Sequence, residues 1–233
     1  MTQGGIVMAK ILAVLSSGYA NAEHDYVTGW WAKELFMPMV YLEDAGHVVD
    51  IASPDGNKPV IDPKSLEDQN DPKGIYNDMY NSGRADKTQR ILNVPAREYD
   101  ALYIVGGHGA MFDLVRDENL RTIVNIIYEN GGTIGAIGHG VAPLLFTKTF
   151  EGKGILDGLE VTGYPEDREP EEVKPLLPFS LEQELSKRSR YHNDPNKDAV
   201  AIWGNGQILT ARDAASAKLF SIELVEKIPG LAD

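Results

Sequence analysis

The chain has 233 residues, 42% of them hydrophobic and 24% charged, which suits one large domain with a full core. A formal net charge of −13 repels phosphate backbones and anionic lipid surfaces, so nucleic acid and membranes are poor partners. With no cysteine, disulfides, thiolate metal sites and thiol catalysis are all excluded.

In chain order, KILAVLSS (residues 10–17) is a short aliphatic run that predicts a strand buried on both faces. A polar loop follows, then WWAKELFMPMVYLEDAG reads as a helix stopped at Gly46, with a kink or break expected at Pro38. HVVDIAS predicts a second buried strand. Residues 54–96 are a polar excursion, too long for a plain connection, with a helix expected in SGRADKTQRILN. ALYIVGG predicts a third strand, and a helix follows from about Glu118 to Asn130. TIGAIG predicts the fourth strand and runs straight into a helix start, HGVAPLLFTKTF. LEVTGY predicts a fifth strand. Residues 165–196 form a second polar insertion with a helix in FSLEQELSKRS. AVAIWGNGQILTA is a hairpin turning at Asn205-Gly206, and a last helix spans about Ala214 to Lys227. Strands alternating with helices predict a doubly wound, mainly parallel α/β sheet flanked by helices, in a single domain over residues 1–233. No signal-peptide pattern and no long apolar run occur, so a soluble cytoplasmic protein is expected.

Ligands of such sheets bind outside the carboxyl ends of the strands. Two strand ends here are rich in glycine: Gly106-Gly107-His108-Gly109 and Gly138-His139-Gly140. The second has the strand–turn–helix shape of a nucleophile elbow, but its apex, Gly138, has no side chain. Backbone N–H groups from the two turns are placed to hold an oxyanion. Two plain connecting turns are the simpler alternative, and a phosphate loop is disfavoured because neither G-x-G-x-x-G after the first strand nor a Walker motif occurs.

GGHGAMFDL, AIGHG and TGWWAKEL together resemble the ThiJ/PfpI superfamily, with its flavodoxin-like, class I glutamine amidotransferase-like fold. The nearest branch is the chaperone and glutathione-independent glyoxalase group. The resemblance implies that Gly138 stands where the family carries its catalytic cysteine. It further implies that Glu34 is the proton-handling glutamate of the first helix, that His139 follows the nucleophile position, and that the N–H groups of Gly107 and His139 form the oxyanion hole. The terminal run Ala211–Ala217 departs from the family pattern. A homodimer is the oligomer that the resemblance implies.

Glycine cannot form a thiol adduct, so three readings stay open. One is a cysteine-independent enzyme using Glu34 and His139 on a small carbonyl or quinone-like metabolite, by hydratase, lyase or isomerase chemistry. The others are a glyoxalase or deglycase inactivated by a Cys-to-Gly change, and a non-catalytic binder or holdase. Losing the side chain at 138 should leave room above the elbow. Of Trp30 and Trp31, one is expected in the core and the other against a flat ligand. His24 and Asp25 are expected at the mouth of the site. His108 is expected chiefly to shape its turn. Glu166, Asp167 and Glu169 read first as a solvated loop, with one of them a possible partner of His139. No metal-ligand spacing appears, so neither metal nor cofactor is expected.

Overall fold

The computed structural model describes residues 8–228. Its elements in order are β1 (Lys10–Val14), β2 (Tyr19–Asn21), β3 (Tyr26–Thr28), α1 (Ala32–Asp44), β4 (Val48–Ser53), α2 (Ile75–Asn81), β5 (Gln89–Arg90) and β6 (Ala101–Ile104). Then follow α3 (Glu118–Glu129), β7 (Thr133–Ile137), β8 (Glu160–Val161), α4 (Leu181–Arg188), β9 (Arg190–Tyr191), β10 (Ala201–Trp203), β11 (Ile208–Ala211) and α5 (Ala217–Lys227). Seven strands form one sheet in the order β10-β11-β7-β6-β1-β4-β5, parallel except for β10. This is the doubly wound sheet expected from the alternation of strands and helices. Among the described residues no helix is long and apolar enough to cross a membrane.

Side chains alternate across the sheet and fill two cores, because helices cover both faces. Leu12, Val14, Leu102 and Ile104 face α3 and its surroundings; Ile11, Ala13, Leu15 and Tyr103 face α1 and α5. Helix α3 shows why such segments fold as they do. Leu120, Ile123, Val124 and Ile127 are spaced along one stripe and are buried, each contributing about 1.5–3 kcal/mol. The Asp117 carboxylate caps its N-terminus, accepting from the N–H groups of Asn119 and Leu120.

Several expectations are corrected. Helix α1 runs through Pro38 without a break, held by the burial of Leu35, Phe36, Met39 and Leu42. It begins at Ala32 rather than Trp30, because Trp31 is extended at the N-cap and Trp30 bridges to Ile61. The helix of the first insertion is α2, not residues 82–93. Gly83 adopts φ +80°, a left-handed conformation that ends α2, and Gln89–Arg90 adds to the sheet edge instead. Strand β4 is buried only in its second half, since its outer neighbour β5 is two residues long. The fifth predicted strand shrinks to Glu160–Val161 and pairs with β9 outside the main sheet. The segment after β7 is a nine-residue 3₁₀ stretch, Gly138–Phe146, rather than an α-helix.

Both insertions pack back on the body. In the first, Asp62 accepts from Thr28 Oγ1 at 2.7 Å and donates its N–H to Trp30 O at 2.8 Å. In the second, Leu181 and Leu185 of α4 are buried in the α3-side core. Glu166 ties α4 to the preceding turn by accepting from Ser180 Oγ at 3.0 Å and from Gln183 Nε2.

Candidate active site

Sheet register brings three strand ends level. Ile104 of β6 pairs with Ala136 of β7, and Ile137 pairs with Ala211 of β11. The residues just beyond them, Gly106-Gly107, Gly138-His139 and Arg212-Asp213, therefore converge at the carboxyl edge of the sheet. The N-terminus of α1 joins them, since the Trp31 N–H donates to Gly106 O at 3.0 Å.

Gly138 turns the chain at φ +58°, where a side chain is strained. The space above it is not open as expected. A Cβ there would lie 3.0 and 3.1 Å from the two carboxyl oxygens of Glu34, so that carboxyl occupies the room over the elbow. Gly106 is required for the same reason: its Cβ would fall 2.2 Å from Glu34 Oε2 and 2.6 Å from Ile137 O. The two glycine turns are shaped to admit one buried acid.

Glu34 sits in the first turn of α1 and is 3% exposed. Its Oε2 is buried without a hydrogen-bond partner among the described residues. Burial, reinforced by the charge of Asp213, pushes its pKa up to about 8, against the opposing pull of the Gly106 N–H and of Lys33. The helix N-terminus would favour the anion, but desolvation outweighs it. Glu34 is thus a neutral acid at neutral pH.

Across the cavity, His139 Nε2 and His108 Nε2 both donate to Glu169, the latter at 2.7 Å and the former through an even shorter bond. Burial alone would raise the Glu169 pKa, but attraction to His139 and the bonds from both imidazoles hold it down at about 2. Burial, with the neighbouring His108, lowers the pKa of His139 against the opposing pull of Glu169, which favours the neutral ring. With Nε2–H directed at Glu169, Nδ1 of His139 carries the lone pair. Tyr164 stacks on this ring, centroids 4.5 Å apart. His108, His139 and Glu169 offer donor atoms within 4.8 Å of one another and are the described residues that could hold a metal ion. Reading by sequence spacing missed this set, because its members come from three separate loops.

Trp31, Glu34, Gly107, His108, His139 and Tyr164 line one cavity of about 260 Å³, with Asn70 from the first insertion and Arg168 from the second. Trp30 lies in the core, stacked edge-on to Phe36, with its indole N–H on Pro59 O. His24 and Asp25 are exposed on a short turn and do not line the cavity, contrary to expectation; Asp25 adopts φ +46° in that turn. His108 does more than shape its turn, since it walls the cavity and bonds Glu169. Glu169 is the buried member of the acidic run, whereas Asp167 is exposed. Its signal was Pro170: the residue before proline is held extended, and Glu169 has ψ 132°. Tyr164, Arg168 and Asp213 carried no comparable signal.

A parallel α/β sheet with a strand–glycine–helix elbow beneath a cavity, faced by a buried acid and a His–carboxylate pair, defines an elbow-type α/β protein without a nucleophile. Residues 28–227 match the DJ-1/PfpI family, and the chain belongs to it. It is 26% identical over 205 residues to the glutathione-independent glyoxalase hsp3102 of Schizosaccharomyces pombe, covering 82% of this chain and 85% of that one. Over 168 residues it is 32% identical to hsp3101 of the same yeast, covering 66% and 67%. The crystal structure of the Rapid Encystment Protein 24 kDa of Francisella tularensis superposes with a TM-score of 0.87 at 30% identity, covering 96% and 100%. Glyoxalase III of Candida albicans superposes at 0.81 with 18% identity over 97% and 99%, which speaks for the fold alone.

Proposed function

We propose that the protein is a cysteine-independent acid–base enzyme acting on a small carbonyl-containing or quinone-like metabolite, with chemistry of the hydratase, lyase or isomerase kind. The observation that carries this reading is Glu34: a neutral carboxylic acid over the elbow with one buried oxygen unpartnered, its pKa raised to about 8. An acid with a pKa near the working pH is best matched to proton transfer. The substrate carbonyl oxygen lies toward the backbone N–H groups of Gly107 and His139, neither of which has a partner among the described residues. Nδ1 of His139 takes the proton from the carbon beside the carbonyl, and the two N–H groups hold the enolate oxygen. Glu34 delivers its proton to the oxygen or to the next carbon and is reprotonated as His139 gives its proton up. Glu169 keeps the imidazole in the required tautomer and stabilises the imidazolium.

Hydrogen–deuterium exchange beside the carbonyl of small ketones and aldehydes, followed by NMR in D₂O, tests this without requiring the true product. Glu34→Gln and His139→Ala should each slow exchange by about 10² or more. Unchanged exchange in both variants refutes the assignment.

The names of the yeast relatives favour a second reading, a glyoxalase whose nucleophile has been replaced. Gly138→Cys should then restore methylglyoxal consumption, whereas no gain leaves the acid–base reading standing. In either case we place the chemistry in one domain, since both insertions wall the same cavity, working as a homodimer in the cytoplasm. Light scattering of the purified protein tests the dimer.

A further inference from the structure

The cavity also reaches the β11 end of the sheet's carboxyl edge, beside the elbow. Asp213 lies there, buried, and accepts from Arg212 Nε at 2.8 Å, Arg168 Nη1 at 2.5 Å, and the Ser216 N–H and Oγ at 3.1 and 2.9 Å. Arg212 is fully buried, and its remaining nitrogens donate to the carbonyls of Asp194, Lys197 and Asp198 at 2.7, 2.9 and 2.9 Å. Two guanidinium cations share one carboxylate, so one positive charge is left over. Arg212 is enclosed, which leaves that surplus on Arg168. The Arg168 side chain is 37% exposed, lines the cavity, and commits only Nη1 among the described residues. Glu169, the next residue in the chain, turns its two oxygens to His108 and His139 rather than to Arg168.

Two further groups face the same end. Ala214 and Ala215 open the helical segment that continues into α5, and both line the cavity. Asp213 caps this segment through Ser216, so the N–H groups of Ala214 and Ala215 have no partner among the described residues. Free N–H groups at a helix start favour an anion. The buried, unpartnered Oε2 of Glu34 belongs to a residue that lines the same cavity.

We propose that Arg168, with the backbone N–H groups of Ala214 and Ala215, forms a carboxylate subsite, and that the substrate is a short oxo acid. The guanidinium edge not used on Asp213 offers parallel N–H donors to a planar carboxylate. The cavity of about 260 Å³ lies below the usual range of ligand sites, about 300–1,000 Å³. A cavity of this size favours a short acid whose carboxyl and carbonyl carbons are adjacent or one carbon apart, as in a 2-oxo or 3-oxo acid. The orientation of the carbonyl rests on the acid–base reading of Glu34 and His139; the subsite itself does not.

The test is calorimetric binding at neutral pH and low salt, with pyruvate, its neutral isostere pyruvamide, and inorganic phosphate as probes. Wild type should bind pyruvate at least tenfold more tightly than pyruvamide. Arg168→Gln should abolish that preference by weakening pyruvate at least tenfold, with pyruvamide unchanged, and Arg168→Lys should keep part of it. Glu34→Gln should keep the preference, so a failed acid–base reading leaves this result intact. Where Arg168→Gln loses its cooperative melting transition, Ala214→Pro replaces it. Proline is tolerated at the first helical position, the preceding Asp213 is already extended, and one N–H is removed with Arg168 untouched; it should weaken pyruvate severalfold and spare pyruvamide. Equal binding of pyruvate and pyruvamide, a preference that survives Arg168→Gln or, in its place, Ala214→Pro, or binding of phosphate alone, overturns the proposal.

Discussion

Replacing Glu34 by glutamine should make the protein more stable in alkali while changing it little in acid. Folding raises this carboxyl from its ordinary 4.5 to about 8, so the folded state holds a proton that the unfolded chain releases. The contribution is fully present below pH 4.5 and disappears as pH rises through about 8. At 1.36 kcal/mol per pKa unit, wild type loses about 4 kcal/mol from this group between pH 5 and pH 8.5. Glutamine keeps the shape and cannot ionise, so it escapes the loss. His139, whose pKa is lowered, changes stability in the opposite direction over part of this window, but it is present in both proteins and cancels in the difference. The assay is urea unfolding of wild type and Glu34→Gln at pH 5, 7 and 8.5. The stability difference should be near zero at pH 5 and should grow steadily in favour of the variant. A difference that does not change with pH would mean that Glu34 is ionised in the folded protein, and the acid–base reading would lose its foundation.

Glu169 governs the other limb. Its pKa is held at about 2, so its contribution is present above pH 4.5 and lost as pH falls toward 2. Glu169→Gln should flatten acid unfolding there by at most about 3 kcal/mol, measured by circular dichroism against pH. Gly138→Ala meets a left-handed φ and crowds the Glu34 carboxyl, so it should cost about 1–2 kcal/mol in urea unfolding, with exchange activity falling as the acid is displaced. Gly106→Ala is harsher, since its Cβ would overlap Glu34 Oε2 and backbone Ile137 O. It should cost more than about 3 kcal/mol and yield little folded protein.

The sheet was legible because its strands are short aliphatic runs separated by helical periods, and the hairpin because Asn205-Gly206 marks its turn. Glu34 and His139 were legible through local motifs, TGWWAKEL and AIGHG. What failed depended on distant packing. Pro38 was expected to break α1, but the buried face of that helix outweighs one missing N–H. The acidic run Glu166, Asp167 and Glu169 read first as a solvated loop, yet α4 ties the second insertion to the body and brings Arg168 to the cavity and Glu169 to His108 and His139. The expected void above Gly138 was wrong because a side chain from another element fills it. His24 and Asp25 sit near the motif in sequence, but the turn at Asp25 leaves them in solvent.

The orphaned oxygen of Glu34 connects the site's stability to its chemistry. A buried polar atom left unpaired costs about 1–3 kcal/mol. A side chain at 138 able to hydrogen-bond would offset that cost within the protein. With glycine there the cost persists, sustained by the close fit of Gly106 and Gly138 around the carboxyl. A ligand whose carbonyl oxygen accepts the Glu34 proton recovers it on binding, which orients the carbonyl toward the acid before any bond changes. On the proposed acid–base reading, the elbow without a nucleophile serves to bind and protonate. A ligand that fits only the Arg168 end leaves this free energy unused, so carbonyl acids should bind more tightly than simple carboxylates of equal size. Glu34→Gln, whose amide donates a weaker hydrogen bond, should narrow that gap in the same calorimeter, and an unchanged gap would detach Glu34 from recognition of the carbonyl.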